Sequence, residues 1–381
     1  MKIAIITETF LPSTDGIVTR LCETIKWLES QGHQVMVVAP ELGVNEYCGA
    51  EVKGVPARRL FFYRTKQFAL PSRLVKKYLE AFQPDLVHVV NPALLGLAGI
   101  YYARRLGIPL VASYHTNVAQ YMDYYHLGLF KPLIWHYFRF IHNQAEINLC
   151  TSLTVKKELD KRKFKNVQLW KRGVDPETFC PEKRNTDVRR RITQGHPDKK
   201  VLLYVGRLAA EKEIEKIKNV LDRSPELWLV IAGDGPYRRE LENCFRRANV
   251  TFTGFLHGQD LAEVYASSDI FVFPSTTETL GLVILEAMAS GLPVIAADSG
   301  PSREQIEDGK NGLFYQPSQP DDLSRKVLSL TSGELDLRTM GKAARQTSID
   351  LGWSRASNQL LDFYLITQDD LKIATEEKGL V

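Results

Sequence analysis

Two doubly wound, Rossmann-like α/β domains facing a central cleft are the fold that this sequence predicts, on three observations. Short apolar runs alternate with amphipathic stretches, as in parallel sheets with crossover helices. That alternation restarts after a linker near the middle of the chain. The length of 381 residues is too great for one ordinary core.

The first strand is Lys2–Thr7, followed by a loop that ends at Asp15-Gly16. A helix comes next, with Ile17, Leu21, Ile25 and Leu28 on one face, and Gly32 separates it from a strand at Val35–Ala39. This is a βαβ unit. Apolar strands at Leu86–Val90 and Leu110–Ser113, separated by helical stretches, extend it into an open parallel sheet. After a linker at Leu169–Arg184 the pattern resumes at Val201–Val205, Trp228–Ala232, Val250–Thr253, Ile270–Phe273 and Val294–Ala296. The amphipathic stretch Arg355–Ile366 after Trp353 is placed to cross back onto the first half. The domains are therefore 1–170, with a crossover helix at about 355–381, and 171–354. A single dinucleotide-binding oxidoreductase is disfavoured: the first turn lacks Gly-x-Gly-x-x-Gly, and Gly233-Asp-Gly235 reads as a turn.

Hydrophobic content of 44% and charged content of 25% exclude disordered and fibrous classes. Cys22, Cys48, Cys150, Cys180 and Cys244 are odd in number and form no Cys-x-x-Cys, so they read as free thiols in a reducing compartment. No apolar run approaches about 20 residues, so neither a signal peptide nor a spanning helix is expected. Residues 1–185 hold 25 Lys/Arg against 16 Asp/Glu, a balance of +9, whereas the remainder balances to −5. The excess lies largely in Arg58, Arg59, Arg64, Lys66, Arg73, Lys76 and Lys77, interleaved with Phe61, Phe62, Tyr63 and Phe68. An anionic membrane surface or a merely solvated face explains it; no nucleic-acid recognition motif is present. The expected location is peripheral, on the cytoplasmic side of a membrane. The aromatic stretch Tyr121–Phe140, which carries Lys131 and Arg139, reads as an acceptor-side wall, a membrane-dipping helix or core packing.

The chemistry concentrates at Glu278-Thr-Leu-Gly-Leu-Val-Ile-Leu-Glu286, between the strand Asp269–Pro274 and a helix over Gly281–Ser290. Amides at a helix N-terminus suit a phosphate, and flanking carboxylates accept hydrogen bonds from sugar hydroxyls, so the arrangement fits a nucleotide-sugar diphosphate. Arg207 and Lys212 leave the carboxyl end of a neighbouring strand as pyrophosphate clamps. No Asp-x-Asp pair occurs, so no cofactor and no metal site are expected. His115 follows a sheet strand, where it can meet sugar or acceptor. Lys171 and Arg172 either face the cleft or are solvated linker charges.

Gly16, Ser113-Tyr-His-Thr116, Gly173-Val-Asp175, Gly206-Arg-Leu208 with Lys212, Gly233-Asp-Gly-Pro236 and Glu278 with Glu286 together resemble the retaining nucleotide-sugar glycosyltransferases of family four, over nearly the whole chain. The resemblance implies a glycosyltransferase fold of the B type. It implies donor binding mainly by the second domain, acceptor binding by the first, and retention by front-side attack, the leaving phosphate taking the acceptor proton. Tyr114-His-Thr-Asn117 with Tyr121, Leu169–Phe179, Ala210–Ile214 and Thr277–Leu280 are most similar to sulfoquinovosyltransferases, whereas Gly300-Pro-Ser-Arg-Glu304 departs from the common Gly-Gly-x-Pro-Glu.

The implied reaction moves sulfoquinovose from a uridine diphosphate donor to diacylglycerol. The alternatives are transfer of a neutral hexose to a glycosyl-diacylglycerol or phosphatidylinositol, and a non-catalytic nucleotide-sugar-binding regulator. Within that expectation Arg207 and Lys212 neutralise the diphosphate, and amides near Gly16 meet the same phosphate. Glu286 holds the ribose hydroxyls, and Glu278 with the amides of Leu280, Gly281 and Leu282 holds the sugar. Lys171 with Arg172, and then Arg303, are the candidate partners of a sulfonate.

Overall fold

A computed structural model of the protein describes residues 1–60, 63–116, 128–278 and 280–379. The chain forms two compact units, one of residues 1–172 with 353–381 and the other of residues 173–352.

The strands of the first unit are β1 (Lys2–Thr7), β2 (Gln34–Pro40), β3 (Glu46–Tyr47), β4 (Ala50–Val55), β5 (Ala57–Leu60), β6 (Tyr63–Ala69), β7 (Leu86–Val90), β8 (Leu110–Tyr114), β9 (Ile147–Cys150) and β10 (Val167–Leu169). Eight of them make one sheet in the order β10-β9-β8-β7-β1-β2-β4-β3, parallel except for the β3–β4 pair. Strand order reverses between β1 and β7, so this is the switch point where the exit loops diverge. β1 and β7 are almost wholly buried because helices cover both faces.

One covering helix, Gly16–Ser30, buries Leu21, Ile25 and Leu28 as its periodicity predicts. Another, Leu95–Leu106, is held by the buried Glu8 carboxylate, which accepts from the amides of Ala93, Leu94, Leu95 and Gly96 at 2.7–3.2 Å. The terminal helix Trp353–Gly379 seats Leu360 and Tyr364 among Ile3, Val37 and Trp170. Trp170 Nε1 donates to the Ala356 carbonyl at 3.1 Å.

The second unit is a six-stranded parallel sheet of β11 (Lys200–Val205), β12 (Leu227–Ala232), β13 (Val250–Gly254), β14 (Ile270–Phe273), β15 (Val294–Ala297) and β16 (Gly312–Tyr315). Its order is β13-β12-β11-β14-β15-β16, which puts the switch point between β11 and β14. Apolar clusters around Leu203, Val205, Val230 and Phe271 on one face, and Leu202, Ile231 and Val272 on the other, fill the two layers against the helices.

Several strands carry too little sequence signal to be read in advance. β9 and β10 are four and three residues long, and the expected linker at Leu169 begins inside β10. The basic segment near Arg58 is a hairpin of β5 with β6, and Phe61 and Phe62 lie outside the described residues. Tyr121, Tyr124, Tyr125 and Asn117 lie outside them too; the rest of the aromatic stretch is a helix at Lys131–His142 that buries Trp135 and Phe138.

Candidate functional site

The second unit brings its predicted residues together at the switch point. Gly206 closes β11 with φ of 151°, and the chain then turns through a short 3-10 segment, Ala210–Lys212. Glu278 leaves the adjacent β14. Although 66 residues apart, Lys212 Nζ donates to Glu278 Oε2 at 2.7 Å. Arg207 pairs with Glu211, whose side chain is 1% exposed. The two cations thus both follow β11, Arg207 paired with Glu211 of the same exit segment and Lys212 with Glu278 from the adjacent β14. Lys212 has three N–H donors and Arg207 five, so both can hold a carboxylate and a phosphate oxygen together.

The helix expected over Gly281–Ser290 runs from Leu282 to Ala289, and Gly281 caps it with φ of 64°. That backbone favours glycine, and a Cβ there would also lie 2.8 Å from Gln305 Nε2. Leu280 and Leu282 flank this turn and are buried; Thr279 lies outside the described residues. Glu286 is one turn along the helix, where the Tyr265 hydroxyl donates to Oε2 at 3.0 Å. The residue keeps part of its surface, yet the protein around its carboxyl strips enough water to push it up to about 7; the Tyr265 hydrogen bond pulls the other way. Gly233 and Gly235 follow β12. Added Cβ atoms would overlap the carbonyls of Gly206 and Leu208, so the two glycines let the β12 exit lie directly against the β11 exit.

Arg303 precedes by two residues Gln305, whose side-chain amide meets the Leu280–Gly281 turn. The Arg303 guanidinium is forked onto Asp298 at 2.5 and 2.7 Å and is largely exposed, so a sulfonate there would compete with that carboxylate.

In the first unit, Gly16 starts its helix as expected, but the amides of Ile17 and Val18 already donate to Asp15 Oδ1 at 3.2 Å. A phosphate at those two amides has to displace a carboxylate. His115 follows β8 and is buried; its Nε2 lies 2.9 Å from Ser113 Oγ. Burial first, and then the positive Arg20, hold its pKa well below the ordinary histidine value. Lys171 is exposed, its amide donating to Gln359 Oε1 at 2.8 Å. Arg172 donates from Nη2 to the Thr151 carbonyl at 3.2 Å.

Glu211, Tyr265, Asp15 and Arg20 were not anticipated. Arg20 is wholly buried on the helix Gly16–Ser30, its guanidinium 3.4 Å from the Trp170 ring centroid, and it donates to the carbonyls of Trp170 and Lys171. The signal was a charge on the inner stripe of an amphipathic helix. Glu211 lies four residues from Arg207, but outside an α-helix that spacing carries no pairing signal. Tyr265 gave none, because only the fold brings it to Glu286.

Residues 14–178 match the family described as Glycosyltransferase Family 4, and residues 186–347 match Glycosyl transferases group 1. A sulfoquinovosyl transferase of Arabidopsis thaliana is 36% identical over 91% of this chain and 69% of its own length. A GDP-mannose-dependent alpha-mannosyltransferase of Mycobacterium tuberculosis is 34% identical over 96% of each chain. An alpha-monoglucosyldiacylglycerol synthase of Streptococcus pneumoniae is 30% identical over 95% of this chain and 86% of its own. The crystal structure of Anabaena HepE in complex with UDP and glucose superposes with a TM-score of 0.79 at 20% identity, covering 96% of this chain and 99% of that one.

Proposed function

The chain belongs to the family-four nucleotide-sugar glycosyltransferases, and on that premise we propose that it transfers sulfoquinovose from a uridine diphosphate donor to diacylglycerol, with retention of configuration. The observation that carries the donor half is the pairing of Arg207 and Lys212 with carboxylates at the β11 and β14 ends. A departing diphosphate develops negative charge where these cations stand, and they neutralise it as the glycosidic bond breaks. The acceptor oxygen forms its bond to the sugar carbon on the same face, and its proton passes to the leaving phosphate oxygen. No metal ion is needed in this scheme, and a chelator is expected to leave the rate intact; loss of activity restored by magnesium overturns that part. The acceptor half rests on similarity to the Arabidopsis sulfoquinovosyl transferase and the pneumococcal alpha-monoglucosyldiacylglycerol synthase. A lipid acceptor places the protein at a membrane surface, and the cytoplasmic side is our proposal; no helix among the described residues is long and apolar enough to cross.

A second reading, transfer of a neutral hexose to a lipid, is favoured by one feature. Arg303, a candidate sulfonate partner, is occupied by Asp298. Product analysis after incubation with uridine and guanosine diphosphate sugars and mixed lipid vesicles separates the readings. Sulfolipid as the main product supports the first, and a neutral glycolipid the second. Donor binding without any product would leave only a regulator.

A further inference from the structure

We propose that Tyr364 on the terminal helix, acting through His88 and Ser113, fixes the tautomer of His115 so that His115 serves transfer as a neutral hydrogen-bond donor at Nδ1. The wiring stands on geometry alone; its consequence for transfer rests on the reading of His115 as a residue that meets sugar or acceptor.

Four side chains of the first unit form one line. The Tyr364 hydroxyl lies 2.7 Å from His88 Nδ1, His88 Nε2 lies 2.8 Å from Ser113 Oγ, and Ser113 Oγ lies 2.9 Å from His115 Nε2. Tyr364 and His88 are wholly buried, and Ser113 is 1% exposed. Among the described residues the Tyr364 hydroxyl has no hydrogen-bond partner but His88, and the side chains of His88 and Ser113 make only the hydrogen bonds just named.

That closed set of partners decides the direction of every bond. A neutral imidazole has one donor and one acceptor nitrogen, and a hydroxyl has one hydrogen to give. If His88 donated from Nδ1, the phenolic hydrogen of Tyr364 would be buried with nowhere to go, a state that native interiors avoid. Tyr364 therefore donates to His88 Nδ1. His88 must then carry its hydrogen on Nε2 and donate to Ser113 Oγ. Ser113 gives its only hydrogen to His115 Nε2, which leaves the His115 proton on Nδ1. This assignment comes from satisfying each buried hydrogen.

The surroundings keep the line neutral. Arg20 stacks on Trp170, whose ring centroid lies 5.8 Å from that of His88 and 5.7 Å from that of His115. Burial, with this cation nearby, lowers His88 to about 3 and His115 far below its usual range. Arg20 itself forms no salt bridge among the described residues.

A His115 wired in this way can donate to a lone pair on a sugar hydroxyl or phosphate oxygen. It cannot accept the acceptor's proton at Nδ1. Tyr364, His88 and Ser113 are then positioning residues: they touch no substrate and act through His115.

The test uses the full chain with ¹⁵N-labelled histidine. Long-range ¹H–¹⁵N correlation spectra of the wild type are expected to show His115 protonated at Nδ1 and His88 at Nε2. Tyr364→Phe removes one oxygen and leaves the ring in the core; it should shift His115 toward the Nε2-protonated form and lower the transfer rate about tenfold, the effect of turning one donor into an acceptor. Ser113→Ala cuts the last link with Tyr364 and His88 still paired, and should do the same. In a His115→Ala background neither change should lower the rate further, whereas a merely structural role for Tyr364 would remain additive. A wild-type His115 protonated at Nε2, or one whose tautomer ignores both variants, overturns the wiring. If the spectra behave as expected but His115→Ala transfers at the wild-type rate, the wiring stands and the placement of His115 in the transfer site is overturned.

Discussion

The two units carry opposite electrostatics at their strand ends. After β11 and β14 of the second unit the side chains are charged and paired, Arg207 with Glu211 and Lys212 with Glu278. At the β8 end of the first unit a buried line runs from Tyr364 on the terminal helix through His88 of β7 and Ser113 of β8 to His115, beside an arginine stacked on a tryptophan ring. On the function proposed above, similar sheets serve different tasks. Cations with several N–H donors suit a diphosphate that gains charge as it leaves, whereas neutral donors of fixed direction suit hydroxyl groups, which carry none.

The largest effect is expected from breaking the charged side. Lys212→Ala and Arg207→Ala should each lower kcat/KM about ten- to a hundredfold, the worth of one charge-assisted contact in the transition state. They should differ in stability. Glu211 is 1% exposed and loses its counter-ion in Arg207→Ala, while Glu278 at 22% exposure keeps water. Thermal unfolding should therefore show a lower Tm for Arg207→Ala than for Lys212→Ala. Adding Glu211→Gln to Arg207→Ala should recover Tm but not activity. Wild-type turnover in both single variants would falsify the phosphate-clamp role.

Next in size is a pH effect confined to the second unit. Glu286 is raised from 4.5 to about 7, so the folded protein holds a proton that the unfolded chain has released across that interval. The stability from this group is fully present below pH 4.5 and is lost as pH rises through about 7. Donor binding should run the opposite way, because only the carboxylate can accept from both ribose hydroxyls. The donor dissociation constant, read by calorimetry, should fall about tenfold between about pH 6 and pH 8 if binding requires the ionised form. Glu286→Gln should remove both slopes. A wild-type constant that is flat across this range would detach Glu286 from the ribose.

How much of this was legible in the sequence follows the same division. The second unit's cations and carboxylates sit beside apolar strands that announce themselves, and parallel topology carries residues at strand ends to one edge. Gly206, Arg207, Lys212, Glu278 and Glu286 could be picked out on that ground alone. The strand of Arg207 and Lys212 was expected beside the one before Glu278, and β11 and β14 are indeed neighbours; the ion pair of Lys212 with Glu278 itself left no mark in the sequence. In the first unit His115 was visible through its place after β8. Its partners were not: Ser113 reads as part of a strand, His88 as the middle of another, and Tyr364 as one apolar position of a distant helix. The Asp15 cap shows a further limit. Asp-Gly before an apolar helix is itself an N-terminal signal, and the same carboxylate occupies the amides that an anion would want.

The smallest effect sharpens the contrast at its weakest point, the cations proposed to read a sulfonate. Lys171 and Arg172 belong to the first unit and Arg303 to the second. Arg303 already spends two hydrogen bonds on Asp298, so a sulfonate there would have to displace a fork that fits it well. Arg172 donates to a backbone carbonyl. Lys171 is exposed, and its side chain makes no hydrogen bond or ion pair among the described residues. If any of the three binds the sulfonate, Lys171 gives up least to do so. Because it meets the anion in water, its contribution should be that of an exposed pair, about 0.2–1 kcal/mol, or roughly a 1.4- to 5-fold change in preference. With sulfoquinovosyl and glucosyl donors in one competition assay, Lys171→Ala should lower the ratio of sulfonated to neutral product by that factor, and less at high salt. Arg303→Ala should leave the ratio unchanged. The reverse pattern, a loss confined to Arg303→Ala, would assign sulfonate recognition to the charged unit and confine the first unit to neutral groups.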